Sequence, residues 1–166
     1  MAVDKKATLT YVQLMKEDLA VFRLVPDDGI IPDYDAGQFI TVGMPIPSEG
    51  NKVVRRAYSM ASHPENKKFI ELVVRWVRRP LPGRVTTALF NAGEGDEVSW
   101  IPPTGVALKI NEKMGDGTKD DRRIVCVSGG TGIAPFMSFA RHLRAIGDKR
   151  EIVCLHGSSS VSYTHL

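Results

Sequence analysis

The chain has 166 residues, 43% of them hydrophobic and 25% charged, which is typical of a globular protein with one core or two. Its 22 Lys and Arg against 19 Asp and Glu give a net charge of +3, too small to indicate nucleic-acid binding. The first residues contain no apolar core of a secretory signal, and no apolar run approaches the roughly 20 residues of a membrane span. We therefore expect a cytoplasmic protein without a membrane span.

The cysteines and histidines indicate neither a disulfide nor a metal centre. Cys126 and Cys154 each lie within an apolar run, which predicts two buried free thiols in a reducing compartment. The four histidines are scattered and show no metal-ligand spacing, so we expect no metal site.

Short β-type runs alternate with segments rich in Pro, Gly, Asn and Asp in the part of the chain before residue 111. This spacing predicts six or seven short antiparallel strands that form a barrel or a sandwich. The runs cover residues 7–15, 19–25, 37–44, 53–60, 68–77, 96–101 and 105–110. One segment, 84–92, has the apolar spacing of a helix and is followed by Gly93.

The pattern changes after a polar linker over residues 111–123. An apolar strand, 124–128, runs into the glycine-rich turn "GGTG", and a helix is predicted to begin at Ala134 or Pro135. A second apolar strand follows within 150–157. A strand–helix–strand order predicts a parallel pair of strands.

The stretch "RAYS" places unusual side chains on a predicted strand. Arg56 and Tyr58 are two residues apart, so their side chains leave the same face of the strand. A phenol offers a face for a flat ring, and a guanidinium can bind a phosphate with two hydrogen bonds. Ser59 points the other way in a regular strand and needs a twist or bulge to reach the same ligand. Alternatively, Arg56 and Tyr58 are a half-exposed strand pair.

Two further segments carry glycine beside a helix start. Gly83 with Thr86 and Thr87 can present backbone amides and hydroxyls to a phosphate, although either threonine alone is typical of a helix cap. The turn "GGTG" at the end of the strand 124–128 lets a ligand approach the backbone at the positive end of a helix. It lacks a third glycine at Pro135, and a plain tight turn is the alternative.

Taken together, "RAYS", "GRVTT" and "GGTGIAP" in this order resemble the ferredoxin/flavodoxin–NADP reductase family, most closely its compact bacterial type. "YDAGQF" and "GEGDEV…PPTG" also look like the family. The resemblance implies an all-β, antiparallel, six-stranded FAD-binding barrel followed by the first βαβ unit of an α/β NADP-binding domain. It implies FAD and NADP(H) as cofactors and ferredoxin or flavodoxin as partner. The oligomeric state stays unknown.

The resemblance also assigns roles to individual residues. Tyr58 stacks on the flavin ring and the Ser59 hydroxyl contacts the reactive flavin nitrogen, so these two are the expected catalytic residues. Arg56 binds the pyrophosphate. The implied cofactor-binding set is Arg56, Ala57, Tyr58, Ser59, Val73, Arg75, Gly83, Thr86, Thr87, Gly130, Thr131, Gly132, Pro135, His156 and Gly157. Because the cofactor carries the electrons, no general acid or base is required.

We expect three segments: the FAD-binding barrel over 1–118, the start of the nucleotide-binding domain over 119–160, and a foreign end over 161–166. The resemblance implies that the nucleotide domain is truncated and that the fragment is incomplete for activity, since family members continue with further strands and helices. "VSYTHL" is what GTCTCTTATACACATCT encodes, and these bases match a transposon end used for sequencing libraries. We expect 161–166, with Ser160, to be adapter read-through.

Other functions remain open at this point. The flavin reductase component of an oxygenase and the electron-transfer subunit of a dihydroorotate dehydrogenase share these motifs. A cluster of arginines near the expected flavin is a candidate docking surface for an acidic partner, or else an ordinary solvated face: Arg55, Arg78, Arg79 and Arg84. A non-enzymatic barrel that binds nucleic acid is a further alternative, disfavoured by the few aromatics and by the βαβ unit.

Overall fold

Six antiparallel strands form one sheet in the computed structural model, which describes residues 4–105 and 108–157. The strands are β1 (Lys5–Lys16), β2 (Leu19–Pro26), β3 (Phe39–Ile46), β4 (Lys52–Ser59), β5 (Ile70–Arg75) and β6 (Glu97–Thr104). Their order across the sheet is β4-β3-β6-β1-β2-β5. The predicted read-through segment 161–166 and Ser160 lie outside the described residues.

The two edge strands of this sheet meet just beyond the end of β4. Met60 forms an isolated antiparallel bridge with Leu72, and the Ala61 amide donates to the Glu71 carbonyl at 2.8 Å. Joining the edges removes the unpaired strand edge of an open sheet. The predicted six-stranded antiparallel barrel is therefore confirmed.

The barrel interior is filled by large apolar side chains from every strand. Trp100 and Phe22 are fully buried, together with leucines and isoleucines of the neighbouring strands. Helix α1 (Arg84–Asn91) contacts β3 and β4 and adds Val85 and Leu89 to the same core. These two residues lie four apart on one helix face, so α1 buries that face and exposes the other.

A strand–helix–strand unit follows the barrel. Strand β7 (Ile124–Gly129) leads through a 3₁₀ turn (Gly130–Ile133) into helix α2 (Ala134–Ala145), and β8 (Ile152–Gly157) pairs in parallel with β7. A second 3₁₀ turn, Pro47–Glu49, joins β3 to β4. The predicted βαβ unit is confirmed, as is the predicted start of its helix.

The structure corrects the predicted strand bounds in two places. Strand β6 continues to Thr104 through two prolines, which the sequence analysis assigned to a turn. A proline lacks the N–H that a ladder needs, and β1 pairs with β6 only up to Trp100, so no partner on that side is lost. The predicted strand 105–110 is not formed by residues 108–110, and residues 106 and 107 lie outside the described part.

The prediction of two buried thiols was wrong for one of them. Both cysteines are free, but Cys126 is buried while Cys154 is exposed. Cys126 packs with Phe139 of α2, whereas β8 has β7 as its only strand neighbour among the described residues. The side chains of Val125, Val127 and Leu155 are likewise 58%, 70% and 57% exposed, so one apolar face of this small sheet is uncovered in the part described. No helix within residues 4–105 and 108–157 is long and apolar enough to cross a membrane.

Candidate functional site

Strand β4 places Arg56 and Tyr58 on one face, as the sequence predicts. Arg56 lies opposite Val42 of β3 and Tyr58 lies opposite Ile40. The Tyr58 ring is half-buried against the barrel core, and its hydroxyl oxygen is buried with no hydrogen-bond partner among the described residues. Burial raises the pKa of Tyr58 to about 12, with the charge of Arg56 opposing the rise, so the phenol stays protonated at neutral pH.

The Arg56 guanidinium has no ion pair with a carboxylate within the described ranges. Its Nη1 donates to the Arg55 carbonyl oxygen at 2.8 Å. Most other arginines do bind a carboxylate, among them Arg55 with Asp4 and Arg84 with Glu49. A guanidinium without a counter-ion next to an unpaired hydroxyl is a combination suited to a polar, anionic ligand.

Ser59 and Ala57 lie on the other face of β4. The ladder between β3 and β4 runs without a bulge as far as the pair Ser59 and Phe39. Ser59 is half-buried and Ala57 is exposed. The bulge that would bring the Ser59 hydroxyl to the Tyr58 face does not occur in this ladder, so the role of Ser59 stays a prediction.

The start of α1 is built by Gly83 and Thr86. The Thr86 hydroxyl donates to the Gly83 carbonyl at 3.0 Å, and the Gly83 amide donates to the Val77 carbonyl at 2.8 Å. A Cβ atom at Gly83 would lie 2.6 Å from Thr86 Oγ1, so this close approach requires glycine. The Thr86 hydroxyl hydrogen is therefore already used in a hydrogen bond at the helix start. The first backbone amides of α1 can still bind an anion, as at any helix N-terminus.

Thr87 is held differently, by a residue that sequence reasoning missed. The Trp76 indole Nε1 donates to Thr87 Oγ1 at 3.0 Å, so the Thr87 hydroxyl keeps its own hydrogen for another acceptor. Trp76 also stacks on Phe90, with ring centroids 5.4 Å apart, and the Arg78 guanidinium lies 4.3 Å from its ring centroid. A tryptophan at the end of an apolar run is typical of a core residue, which is why it was overlooked.

A cleft of about 470 Å³ opens at this end of β5. Its walls are Asp18, Arg75, Trp76, Val77, Arg78 and Arg79. Arg75 Nε binds Asp18 Oδ2 at 3.0 Å, and Arg78 binds Glu17. Two of the three guanidinium groups are thus paired with carboxylates, and the third leaves this cleft with a net positive charge, which suits a phosphate-bearing ligand.

The nucleotide loop forms at the carboxyl end of β7. Gly130 has a φ of +51°, in the left-handed region that favours glycine. Added Cβ atoms at Gly130 and Gly132 would meet no other atom within 4 Å, so the backbone of this turn, which includes Thr131, is open to a ligand. Pro135 is buried in the first turn of α2, as predicted for a residue that needs no N–H donor there.

His156 and Gly157 lie at the carboxyl end of β8, beside this loop. Gly157 pairs with Gly129 of β7, and His156 Nδ1 lies 2.9 Å from the Ser128 hydroxyl. The predicted nucleotide residues of both strands therefore share one edge of the small parallel sheet, where ligands bind in open α/β sheets.

The unit formed by β7, α2 and β8 is called the nucleotide unit after its predicted ligand. It meets the barrel at a small apolar cluster. Val73 of β5 and Ala61, just past β4, pack with Ala134 at the start of α2, and all three are buried. The 3₁₀ turn also contacts β5. Val73 was predicted to bind cofactor, and its side chain lies in this contact. The glycine turn is thereby held against the strand ends that carry the barrel's predicted site residues.

A larger cavity than this cleft of β5 lies elsewhere. It measures about 600 Å³ and is lined by charged residues of the barrel and α2, including Asp33, Lys67 and His142. None of the predicted site residues lines it. Two of its four carboxylates bind lysines, Asp33 with Lys67 at 2.9 Å and Asp35 with Lys109 at 3.1 Å.

A barrel with a guanidinium and a phenol on one strand face, followed by a parallel unit with a glycine turn, defines the two-part class of flavin- and nucleotide-binding reductases. The sequence model of the oxidoreductase FAD-binding domain family matches residues 6–107. The chain belongs to this family, the FAD-binding domains of oxidoreductases. The predicted resemblance is confirmed at this level.

Curated relatives place the chain among longer proteins. It is 32% identical over 141 residues to the flavohemoprotein of Bordetella pertussis, covering 84% of this chain and 33% of the relative. It is 30% identical over 154 residues to terephthalate 1,2-dioxygenase reductase component 1 of Comamonas sp., covering 92% of this chain and 41% of the relative. The chain thus spans about a third to two fifths of the length of these relatives.

Solved structures share the fold. The FAD/NAD-binding domain of nitric oxide dioxygenase from Vibrio cholerae superposes with a TM-score of 0.81 at 24% identity, covering 96% of this chain and 64% of that one. A ferredoxin NADP+ reductase from Neisseria gonorrhoeae, solved with FAD and NADP bound, gives 0.77 at 20% identity, covering 98% and 61%. At these identities the likeness extends to the fold alone.

Proposed function

We propose that this chain passes electrons between NADP(H) and a ferredoxin or flavodoxin through bound FAD. The observation that carries the proposal is the pair on β4, where Arg56 lacks a carboxylate partner and the buried Tyr58 hydroxyl lacks a hydrogen-bond partner in the described ranges. A folded protein gains nothing from leaving these two groups unmatched, so a ligand that satisfies both is the simplest reason for them.

The residues present fit FAD. Arg56 would bind the pyrophosphate, and the Tyr58 ring would stack on the isoalloxazine ring, with its hydroxyl available to donate to the cofactor. The Thr87 hydroxyl, oriented by Trp76, and the first amides of α1 would donate to phosphate oxygens. When bound, FAD supplies the hydride and single-electron chemistry, while the protein supplies binding and orientation.

For the nucleotide we propose the open turn formed by Gly130, Thr131 and Gly132, with His156 and Gly157 at the neighbouring strand end. The amides at the start of α2 favour a phosphate there. Preference for NADP over NAD rests on the family resemblance alone.

The acceptor has a second candidate. One curated relative is named as the reductase component of a terephthalate dioxygenase and another as that of a propane 2-monooxygenase, which favours an oxygenase component as the alternative partner. The predicted arginine docking cluster is weakened, since Arg55, Arg78 and Arg84 each bind a carboxylate of this chain. Arg79 makes no ion pair among the described residues. Two free thiols suit the predicted cytoplasmic location.

FAD titration of two neighbouring arginine variants tests the proposal. Arg56→Ala should weaken FAD binding roughly 10- to 150-fold, because a charge-assisted hydrogen bond contributes roughly 1.5–3 kcal/mol. Arg55→Ala is the matched control, since its side chain leaves the other face of β4 and binds Asp4. Equal effects of the two substitutions, measured by flavin fluorescence quenching in folded protein, would contradict the assignment.

A further inference from the structure

Two polar contacts link helix α2 to the barrel: the pair of His142 with Glu65 at 2.7 Å, and a junction of Arg141 with a buried carboxylate. Arg141 Nη1 donates to Glu71 Oε1 at 2.6 Å and to the Ala61 carbonyl at 2.7 Å. The Glu71 side chain is only 4% exposed, and its other oxygen accepts from Arg23 Nε at 2.8 Å. The Glu71 carboxylate therefore bridges a barrel arginine and an arginine of the nucleotide unit.

This junction lies at the strand ends that carry the predicted flavin contacts. Ala61 follows Ser59 by two residues, and Glu71 precedes Val73 by two. The backbone hydrogen bond between Ala61 and Glu71 closes the barrel at the same place. One guanidinium of α2 thus contacts both strands where the barrel joins.

The same helix face carries the nucleotide turn. Ala134 and Arg141 are seven residues apart, two helical turns, so they project from one side of α2. Ala134 packs on Ala61 and Val73, and Met137, on the same face, packs against that cluster. These contacts, and a second apolar cluster between α2 and the barrel, are non-directional, so they define the orientation of the helix less sharply than hydrogen bonds at fixed angles do. A guanidinium bound to two acceptors at fixed angles defines it.

We propose that Arg141 is an inter-unit positioning residue that holds α2, and with it the Gly130–Ile133 turn, in one orientation over the ends of β4 and β5. Fixing this turn would also fix the placement of nicotinamide against flavin during electron transfer, and that consequence rests on the proposed function. The structural claim does not depend on it. Arg144 provides an internal contrast, because it lies on the same helix, is exposed and makes no ion pair in the described part of the chain.

The test is a distance measurement between the two units in the 166-residue chain. Spin labels go on the exposed Cys154 of β8 and on a cysteine introduced by Lys52→Cys at the exposed start of β4, with the buried thiol removed by Cys126→Ala. We expect a single narrow distance for the parent and for the Arg144→Ala control, and loss of that narrow peak in Arg141→Ala. FAD affinity should be unchanged by Arg141→Ala, because Arg141 contacts none of the predicted flavin-binding side chains, whereas a general loss of the barrel fold would lower it.

Glu71→Gln is the second variant, because it removes the charge that Arg141 binds while keeping the side-chain shape, and it should lose the narrow peak too. A narrow peak retained in both variants, or a broad distribution already in the parent, overturns the proposal. Loss of FAD binding in the parent would contradict the proposed function. The distance measurement would still decide whether Arg141 orients α2, because it does not require bound FAD.

Discussion

At the scale of single residues, the central feature is the Tyr58 hydroxyl, which has no hydrogen-bond partner among the described residues. The Tyr58 oxygen is buried, and an unpaired buried polar group costs roughly 1–3 kcal/mol. Phenylalanine would fill the same space without that cost. The unpaired hydroxyl is therefore the observation on which the proposed contact of Tyr58 with FAD rests.

Tyr58→Phe should have opposite effects on stability and on binding. Without cofactor the variant should be more stable, up to roughly 1–3 kcal/mol, because the unpaired group is gone. FAD affinity should fall roughly 2- to 10-fold through loss of one neutral hydrogen bond. Urea unfolding of the cofactor-free protein and FAD titration measure the two; a loss of stability in the cofactor-free variant would show that the hydroxyl has a partner in the fold.

The sequence predicted which residue types form the site, but not which hydrogen bond each of them makes. Thr86 and Thr87 are indistinguishable in "GRVTT", yet one donates to the Gly83 carbonyl and the other accepts from Trp76. The difference depends on where the chain turns back after β5, because this turn brings Trp76 to Thr87. The neighbouring sequence gives no sign of this tertiary contact. For the same reason the absence of a carboxylate near Arg56 could not be predicted.

At the scale of elements, the pattern of apolar residues was sufficient for the six strands, both helices and the parallel pair. It failed where strand pairing overrides composition: β6 runs through two prolines, and among the described residues β1 pairs with β6 only up to Trp100. It failed again for Cys154, since an apolar run indicates burial only if other elements cover it. The junction between α2 and the barrel also carries no sequence signal, because Glu71 lies inside an apolar strand run.

The stabilising effect of that junction should depend on pH. Burial alone would raise the pKa of the Glu71 carboxyl, but hydrogen bonds from Arg141 and Arg23 outweigh burial and hold it below the ordinary value of 4.5. A carboxyl with a lowered folded-state pKa stabilises fully above its unfolded-state pKa, and the effect is lost as the pH falls through the folded-state pKa.

Wild type should therefore exceed Glu71→Gln in unfolding free energy at pH 7, by roughly 1–3 kcal/mol, and the difference should shrink on acidification below about pH 4.5. Urea unfolding of both proteins from pH 7 to pH 3 measures it. A difference that stays constant across this range would mean that the Glu71 charge contributes nothing.

At the scale of the whole molecule, the two units differ in how well they are covered. The barrel encloses its own core, whereas β7 and β8 leave Val125, Val127 and Leu155 exposed on one face in the described structure. Parallel strands are normally covered on both faces. The nucleotide unit therefore relies on α2 and its junction with the barrel.

Limited proteolysis should show this difference. Trypsin should cut first in the polar linker, at the exposed Arg122 or Arg123, and then within the β7–β8 unit, while the barrel resists. A chain of residues 1–118 should fold and bind FAD. Mass spectrometry of the fragments decides, and a barrel that is digested as fast as the nucleotide unit would contradict separate stabilities.

The most direct test of the central claim compares FAD with FMN. FMN lacks the pyrophosphate, so a site built on Arg56, Thr87 and the start of α1 should bind FAD at least roughly tenfold more tightly, the equivalent of one charge-assisted contact. Thr87→Val should narrow that preference, and Thr86→Val should change it less, because the Thr86 hydroxyl is engaged by Gly83. Preferential FAD binding in paired titrations is the predicted result; equal affinity for FMN, or no binding of either flavin by folded protein, would contradict the account.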